Sequence, residues 1–300
     1  MEDLLLIALA GFLASLVDGA LGMGFGPTSS SILLSAGVSP AAASATVNLA
    51  KVVTGTVSGA AHWRFGNVDR QLVRRLAVPG ALGALAGTTI LVNVDGDDLR
   101  PILAVVLGLI GLRILVRFSK PLPMLPDAVD GRPAGADGRG VSIAGAAGGV
   151  TNGLVGAWGP VVTPFLLHRG LAPRFAVGSV NTAEVAVAVV SAGSLLGSSG
   201  ADGLEASIVV AMLAGGAVAA PLAAYVVRWV PPRLLGLAVA GLLLVTQTRE
   251  LAGALEAGPG RWLAYGLIAV ALAVAAAAPR ARRAITSGRP TAATAAPAGQ

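Results

Sequence analysis

The sequence predicts an all-α integral membrane protein of two inverted repeats. Each repeat is a re-entrant broken-helix hairpin followed by three transmembrane helices, and one extra C-terminal helix follows the second repeat. Three observations carry this expectation. First, the 300-residue chain is 55% apolar and only 12% charged, where soluble domains carry roughly 25% charged residues. Second, one stretch occurs twice. Asp18 to Lys51 reads DGALGMGFGPTSSSILLSAGVSPAAASATVNLAK, and Asn152 to Glu184 reads NGLVGAWGPVVTPFLLHRGLAPRFAVGSVNTAE. From Pro27 and Pro160 onward the copies align without a gap at an offset of 133, and eight of the 22 positions from Pro27 to Asn48 are identical. Ahead of the prolines, Gly19, Gly22 and Gly26 match Gly153, Gly156 and Gly159, with one residue deleted in the second copy. Third, the loops between apolar runs alternate in charge.

Taken in order, Leu4 to Val17 is an apolar run of 14 residues, and four glycines break it between Asp18 and Gly26. Thr28 to Ala36 is a second short run. Neither reaches the ~20 residues that a bilayer span needs, which marks a re-entrant pair. Pro40 to Ala61 is a span, with its proline suited to the first turn of a helix. Leu76 to Val94 follows, carrying Gly80, Gly83, Ala84 and Gly87 for close helix packing, then Pro101 to Phe118. Residues 1–118 thus form the first membrane repeat, and 119–140, rich in Pro, Gly and Asp, is expected to be a cytoplasmic linker. The second repeat, 141–248, repeats the order: short limbs Val141 to Val155 and Pro160 to His168, then spans Pro173 to Leu196, Ser207 to Val227, and Leu234 to about Thr248. Residues 249–278 supply a loop and the extra span Trp262 to Ala278. The arginine-, threonine- and alanine-rich tail 279–300 is expected to be disordered and cytoplasmic.

Loops rich in Lys and Arg stay in the cytoplasm. That rule places 64–75, 113–139, 228–233 and 280–289 inside, and the acidic loops 95–98 and 202–205 outside. Between residues 139 and 202 the chain must then cross an odd number of times. One clear span, 173–196, lies there, so segment 141–168 must dip in and return. Applied to the first half, the same reading gives a hairpin entering from outside and an external N-terminus. Three spans per half turn the second copy upside down. Glu2 and Asp3 argue against a secretory signal, whose n-region is basic. The expected location is the inner or plasma membrane, with the lipid bilayer as partner.

The chain has no cysteine, two His and two Tyr, which leaves little for an enzyme's active site. No metal cluster, nucleophile–base pair or cofactor fingerprint is visible; GALGMG has the wrong spacing for a dinucleotide loop. The net charge of +6 lies in short loops and the tail, not on a basic face for nucleic acid. The breaks are more informative. Gly/Pro-interrupted apolar segments at matching places in two halves point to a transporter's binding site near the midplane. If Pro27 and Pro160 open half-helices, their N-termini offer free N–H groups and a positive dipole end to an anion, and Gly24, Gly26 and Gly159 let it approach the backbone. Bulk at Gly26 or Gly159 is then expected to abolish binding while leaving insertion intact. Hydroxyls of Thr28, Ser29 and Thr163 could bind oxygens or could cap the half-helices. On the following spans, Asn48, Lys51, Gly55 and Ser58 share one face, as do Asn181, Glu184 and Ser191. Lys51 and Glu184 are equivalents at offset 133, each about 11 residues into its span. Ionisable groups at that depth mark ion pathways by default; a buried pair tying the halves together is the plainer reading. Asp18 is a further candidate proton carrier, and Trp158 a candidate cavity wall.

At these residues the chain resembles the TauE/SafE family of sulfite exporters, also called TSUP. The resemblance lies in the Gly-rich break followed by proline, in the P-x3-A-x3-T/S-x-N opening of the next span (Pro40 to Asn48, Pro173 to Asn181), in His62 to Asp69, HWRFGNVD, and in GALGALAG from Gly80 to Gly87. It covers residues 4 to 278. The first break departs from the family's GxGGG, having Gly22, Gly24 and Gly26, and the second, GAWG, is sparser in glycine. The resemblance implies secondary transport of a small sulfur-containing anion of the sulfite or sulfonate class, coupled to a proton or another ion, with no cofactor. The alternative from a different class is a membrane structural or assembly subunit without transport of its own; duplicated midplane breaks favour the first.

The topology is directly testable because the chain is free of cysteine. Cysteines replacing Asp97 and Asp202 are expected to react with impermeant reagents from outside, and those replacing Arg70, Arg132 and Arg228 only after permeabilisation. Labelling of Arg169→Cys from outside alone would remove the re-entrant second hairpin.

Overall fold

The computed structural model describes residues 2–21, 24–119, 138–169, 171, 173–199, 206–226 and 232–277. Most of linker 119–140, the tail 279–300, and the loop and turn carrying Asp202, Glu205 and Arg228 lie outside the described residues. Among the described residues there are eleven α-helices and no strands: α1 Glu2–Leu21, α2 Phe25–Ser35, α3 Pro40–Arg64, α4 Arg70–Asn93, α5 Gly96–Ser119, α6 Gly138–Val155, α7 Gly159–His168, α8 Pro173–Ser199, α9 Ala206–Val226, α10 Pro232–Ala254 and α11 Gly260–Ala277.

The helix ends follow from local chemistry. α2 begins at Phe25, two residues before Pro27, whereas α7 begins at Gly159 with Pro160 in its first turn. The first proline therefore sits inside its half-helix and does not open it. Both half-helices stop alike. Val38 N donates to Leu33 O at 3.0 Å, and at the equivalent positions Leu171 N donates to Leu166 O at 3.2 Å. Gly37 takes φ +88° to turn the chain, a left-handed conformation that glycine adopts without a steric cost. Ser39 caps α3, accepting from Ala42 N, and Pro40 occupies its first turn. Asp69 caps α4 by accepting from the N–H groups of Gln71 and Leu72. Its own N–H donates to Ser179 Oγ of α8 at 2.9 Å. The end of the HWRFGNVD segment thus starts one helix and docks it on another.

At the alignment offset, α1 to α5 correspond to α6 to α10, and α11 has no counterpart. The halves interlock by exchange. α1 packs along α9 of the other half, and its equivalent α6 packs along α4; α3 packs on α8 and α5 on α10. Small residues permit this. A Cβ on Gly83 would stand 2.2 Å from Ala146 O, one on Gly149 2.0 Å from Gly80 O, one on Gly11 2.2 Å from Met212 O and one on Gly215 1.9 Å from Ala8 O. Backbones in contact maximise van der Waals packing where lipid removes the hydrophobic drive between helices.

The outer faces are apolar: Val78, Leu82, Leu109, Leu263, Leu267 and Val270 are all more than half exposed. Water would not tolerate so much exposed apolar surface on a soluble chain. Among the described residues, four helices are long and apolar enough to cross a membrane, those of residues 70–93, 96–119, 175–198 and 260–277. The sequence reading expected seven spans. α3 falls short because polar residues interrupt it, Asn48 and Lys51 among them. The protein is a multi-pass, all-helical membrane protein.

Packing makes a clean prediction. Gly83→Val is expected to prevent assembly of α4 on α6 and to remove the monodisperse species on size-exclusion chromatography in detergent. Gly193, whose Cβ would meet nothing within 4 Å, is the control: Gly193→Ala should be neutral or stabilising by about 0.5–1 kcal/mol.

Candidate functional site

The two breaks meet. Gly156, with φ +65°, turns the chain between α6 and α7, and its carbonyl lies so near Gly26 that a Cβ on Gly26 would stand 1.8 Å from it. Val at Gly26 would wedge the breaks apart, so it would disturb packing as well as backbone approach.

Lys51 fastens the crossing. Its Nζ donates to Glu184 Oε1 at 2.5 Å, to Asn152 Oδ1 at 3.1 Å and, by a short bond, to the Gly156 carbonyl. An ammonium has three donors, and all three are used. The side chains of Lys51 and Glu184 are 6% and 16% exposed, so each charge is compensated in a low-dielectric setting. Lys51 is therefore committed to the protein and is not a free cation awaiting an anion.

Next to this junction lies a cavity of about 60 Å³ lined by Asp18, Phe25, Gly26, Pro27, Lys51, Thr54, Gly55, Ser58, Gly156, Gly159, Pro160, Asn181 and Glu184. That is space for a few waters, which suits a compact ion and excludes a drug-sized ligand. α1, both breaks, α3 and α8 converge on it. Asp18 Oδ1 accepts from Gly24 N at 2.9 Å and Phe25 N at 3.2 Å. The start of α2 is thus capped by the chain's own carboxylate, where the sequence reading expected free N–H groups. Asn181 Nδ2 donates to Ser58 Oγ at 3.1 Å.

Of the candidates read from the sequence, Asp18, Gly26, Lys51, Gly159, Asn181 and Glu184 come together around this cavity. Gly24 is reached only through its N–H on Asp18. Thr28, Ser29 and Thr163 lie outside the lining; they are 1%, 0% and 1% exposed, and their hydroxyls have no partner. The expectation that they line the anion site, or cap the half-helices, is not met. Trp158 is fully buried, donates to Val180 O at 3.2 Å and packs with Leu76, Val162 and Val187. It is core, because Gly80 and Gly148 leave room for its ring.

Asn48 belongs to a closed network behind the junction. Asn152 Nδ2 donates to Asn48 Oδ1 at 2.7 Å and Ser191 Oγ at 3.1 Å. Asn48 Nδ2 donates to the Ser44 carbonyl, and Ser44 Oγ to Gly153 O. The sequence reading missed Asn152 and Gly156 as site residues. The signal was present, since Asn152 aligns with Asp18 and Gly156 with Gly22. The network Asn152–Asn48–Ser191 is equivalent to the set Asp18–Asn181–Ser58. The former is sealed and the latter opens on the cavity.

The junction predicts a graded response. Lys51→Met leaves a buried carboxylate and two acceptors without a donor, and should cost about 3–5 kcal/mol. Adding Glu184→Gln removes the lone charge but leaves Gly156 O and Asn152 Oδ1 unpaired, so thermal midpoints in detergent should show partial recovery. Full recovery would mean that those two bonds contribute nothing.

Comparison with known proteins agrees with this architecture. The family model "Sulfite exporter TauE/SafE" matches residues 7–249. The chain is 40% identical over 261 residues to the "Probable membrane transporter protein YtnM" of Bacillus subtilis (strain 168), covering 84% of this chain and 83% of that protein's length. No solved structure matches the chain. With helices α1 to α10 falling almost wholly inside the matched range, the chain belongs to the sulfite exporter TauE/SafE family, a family of membrane transporters rather than enzymes.

Proposed function

We propose that this protein is a secondary active transporter of a small sulfur-containing anion of the sulfite or sulfonate class, coupled to protons. Its site in this reading is the cavity where the two breaks cross, near the bilayer midplane. The observation that carries the reading is that both breaks, one from each repeat, converge with α3 and α8 on one small cavity lined by three ionisable groups. Irregular backbone at membrane depth is tolerated where it is packed in protein or lines a cavity. A scaffold subunit would gain nothing from such a cavity, which disfavours the assembly-subunit alternative.

In this reading Gly26 and Gly159 give an oxyanion access to the backbone, and Asn181 donates an amide N–H to it. Asp18 and Glu184 carry the coupling proton, while Lys51 supplies the positive charge. Gly24 and Asn48 act from outside the lining, holding the first break and helix α3 in place. The halves are inverted repeats in the cell membrane, N-terminus outside and C-terminus in the cytoplasm. The open set Asp18–Asn181–Ser58 and the sealed set Asn152–Asn48–Ser191 suit such an arrangement, since exchanging their states would turn the cavity to the other side.

Proteoliposomes loaded with labelled sulfite or a labelled sulfonate test the proposal. Wild-type protein is expected to move the anion faster when a proton gradient is imposed. Asn181→Leu should slow transport by on the order of tenfold or more, the loss of one hydrogen bond to a charged ligand, with its thermal midpoint in detergent kept. Wild-type rates in that variant would take Asn181 out of the site. Absence of anion movement in either direction would sink the transporter reading.

A further inference from the structure

We propose that Asp18 and Glu184 are tethered anions that occupy the two anion-binding features of the cavity, and that an external oxyanion binds only when protonation makes them let go. This rests on the reading of the cavity as the transport site and adds the rule by which that site is opened to a ligand.

The two features are the Lys51 ammonium and the start of α2. Each already holds a carboxylate of the chain. Of the three acceptors on Lys51, Asn152 Oδ1 and the Gly156 carbonyl are neutral groups of the second break, and only Glu184 is ionisable. At α2, Gly24 N and Phe25 N both donate to Asp18 Oδ1, which reaches them from the end of α1. A helix start capped by its own carboxylate has no dipole end to spare.

The charge balance points the same way. Asp18, Glu184 and Lys51 are the charged side chains lining the cavity, two negative and one positive. Among the described residues, α2 and the second break bring no charged residue to it, and α9 and α10, which pack on α1, line none of it. The resident sum is −1, which repels an anion at contact distances in low dielectric by several kcal/mol. One proton on each carboxylate turns the sum to +1. It also strips Lys51 of its ionic partner and α2 of its charged cap in the same step. In a cavity of about 60 Å³ there is little room for an oxyanion beside two carboxylates that still hold their partners. The hydroxyl of Thr28, near the start of α2, is fully buried and has no partner in this state.

The sign of the pH effect follows. Binding is strong where both carboxylates carry a proton and weakens as pH rises. A plain capping role for Asp18 and a plain structural role for Glu184 predict the opposite for their variants, because removing a useful charge then only weakens the site.

The test is isothermal titration of methanesulfonate into the full-length protein in detergent at pH 5.5, 6.5 and 7.5. Methanesulfonate stays a monoanion over this range, so any pH dependence belongs to the protein. The expected result is an affinity that falls as pH rises, by up to about tenfold per pH unit for each proton taken up. Asp18→Asn and Glu184→Gln keep an acceptor oxygen for their partners. Each should bind more tightly than wild type at pH 7.5, with a shallower pH slope, and the double variant should bind with no slope. Measurable wild-type binding that is flat from pH 5.5 to 7.5 would overturn the proposal, with or without the variants, and leave the transport site standing. So would folded variants that bind more weakly than wild type at pH 7.5. No binding by folded wild type and folded variants at any of the three pH values would overturn the transport-site reading itself.

Discussion

One ammonium ties the molecule together. Lys51 stands on α3, and its three bonds end on α8, on the last turns of α6 and on the turn between α6 and α7. Removing any one partner would expose the others to an unmet electrostatic demand that the bilayer interior cannot hydrate. The crossing of the two breaks, the left-handed turn at Gly156 and the place of Glu184 beside the cavity all depend on that one group. So does the seal formed by Asn48 and Asn152, since Asn152 spends its side-chain Oδ1 on Lys51 and its side-chain N–H groups on Asn48 and Ser191.

Around this polar centre the closest helix contacts are steric. The exchange of α1 and α6 between halves rests on glycines that bring backbones together with no side chain between them. The two modes of cohesion complement one another. Close-packed small residues fix distance but leave rotation free, whereas directional bonds at the junction fix rotation. Apolar exposure on α4, α5 and α11 then gives lipid a uniform surface, so that specificity is kept inside the bundle.

Much of this was legible in the sequence, for reasons that differ by residue. The helices were readable because membrane length and composition leave few alternatives, and the start of α3 because Pro40 suits a helix's first turn. The Lys51–Glu184 pair was readable because two ionisable residues at one offset in apolar surroundings have few partners to choose from. Three things were not. Asp18 as the cap of α2 depends on where the end of α1 stands against the start of α2, and no periodicity encodes that. Trp158 reads as a cavity wall until Gly80 and Gly148 are seen to clear a pocket for it in the core. Thr28 and Thr163 have the right chemistry for a ligand, yet the packing of their half-helices buries them.

The complementary charges at equivalent positions have a consequence for how such a chain could have arisen. α3 meets α8 face to face, with Lys51 from one opposite Glu184 from the other. Two copies of the first half meeting through that face would bring lysine against lysine, and two copies of the second would bring glutamate against glutamate. Either encounter buries like charges at contact distance, where repulsion is strongest. Neither half can serve as its own mate. Whatever self-pairing ancestor the repeat descends from, the divergence of this one position made the two halves dependent on each other, and joining them in one polypeptide guarantees that each always has the partner it needs.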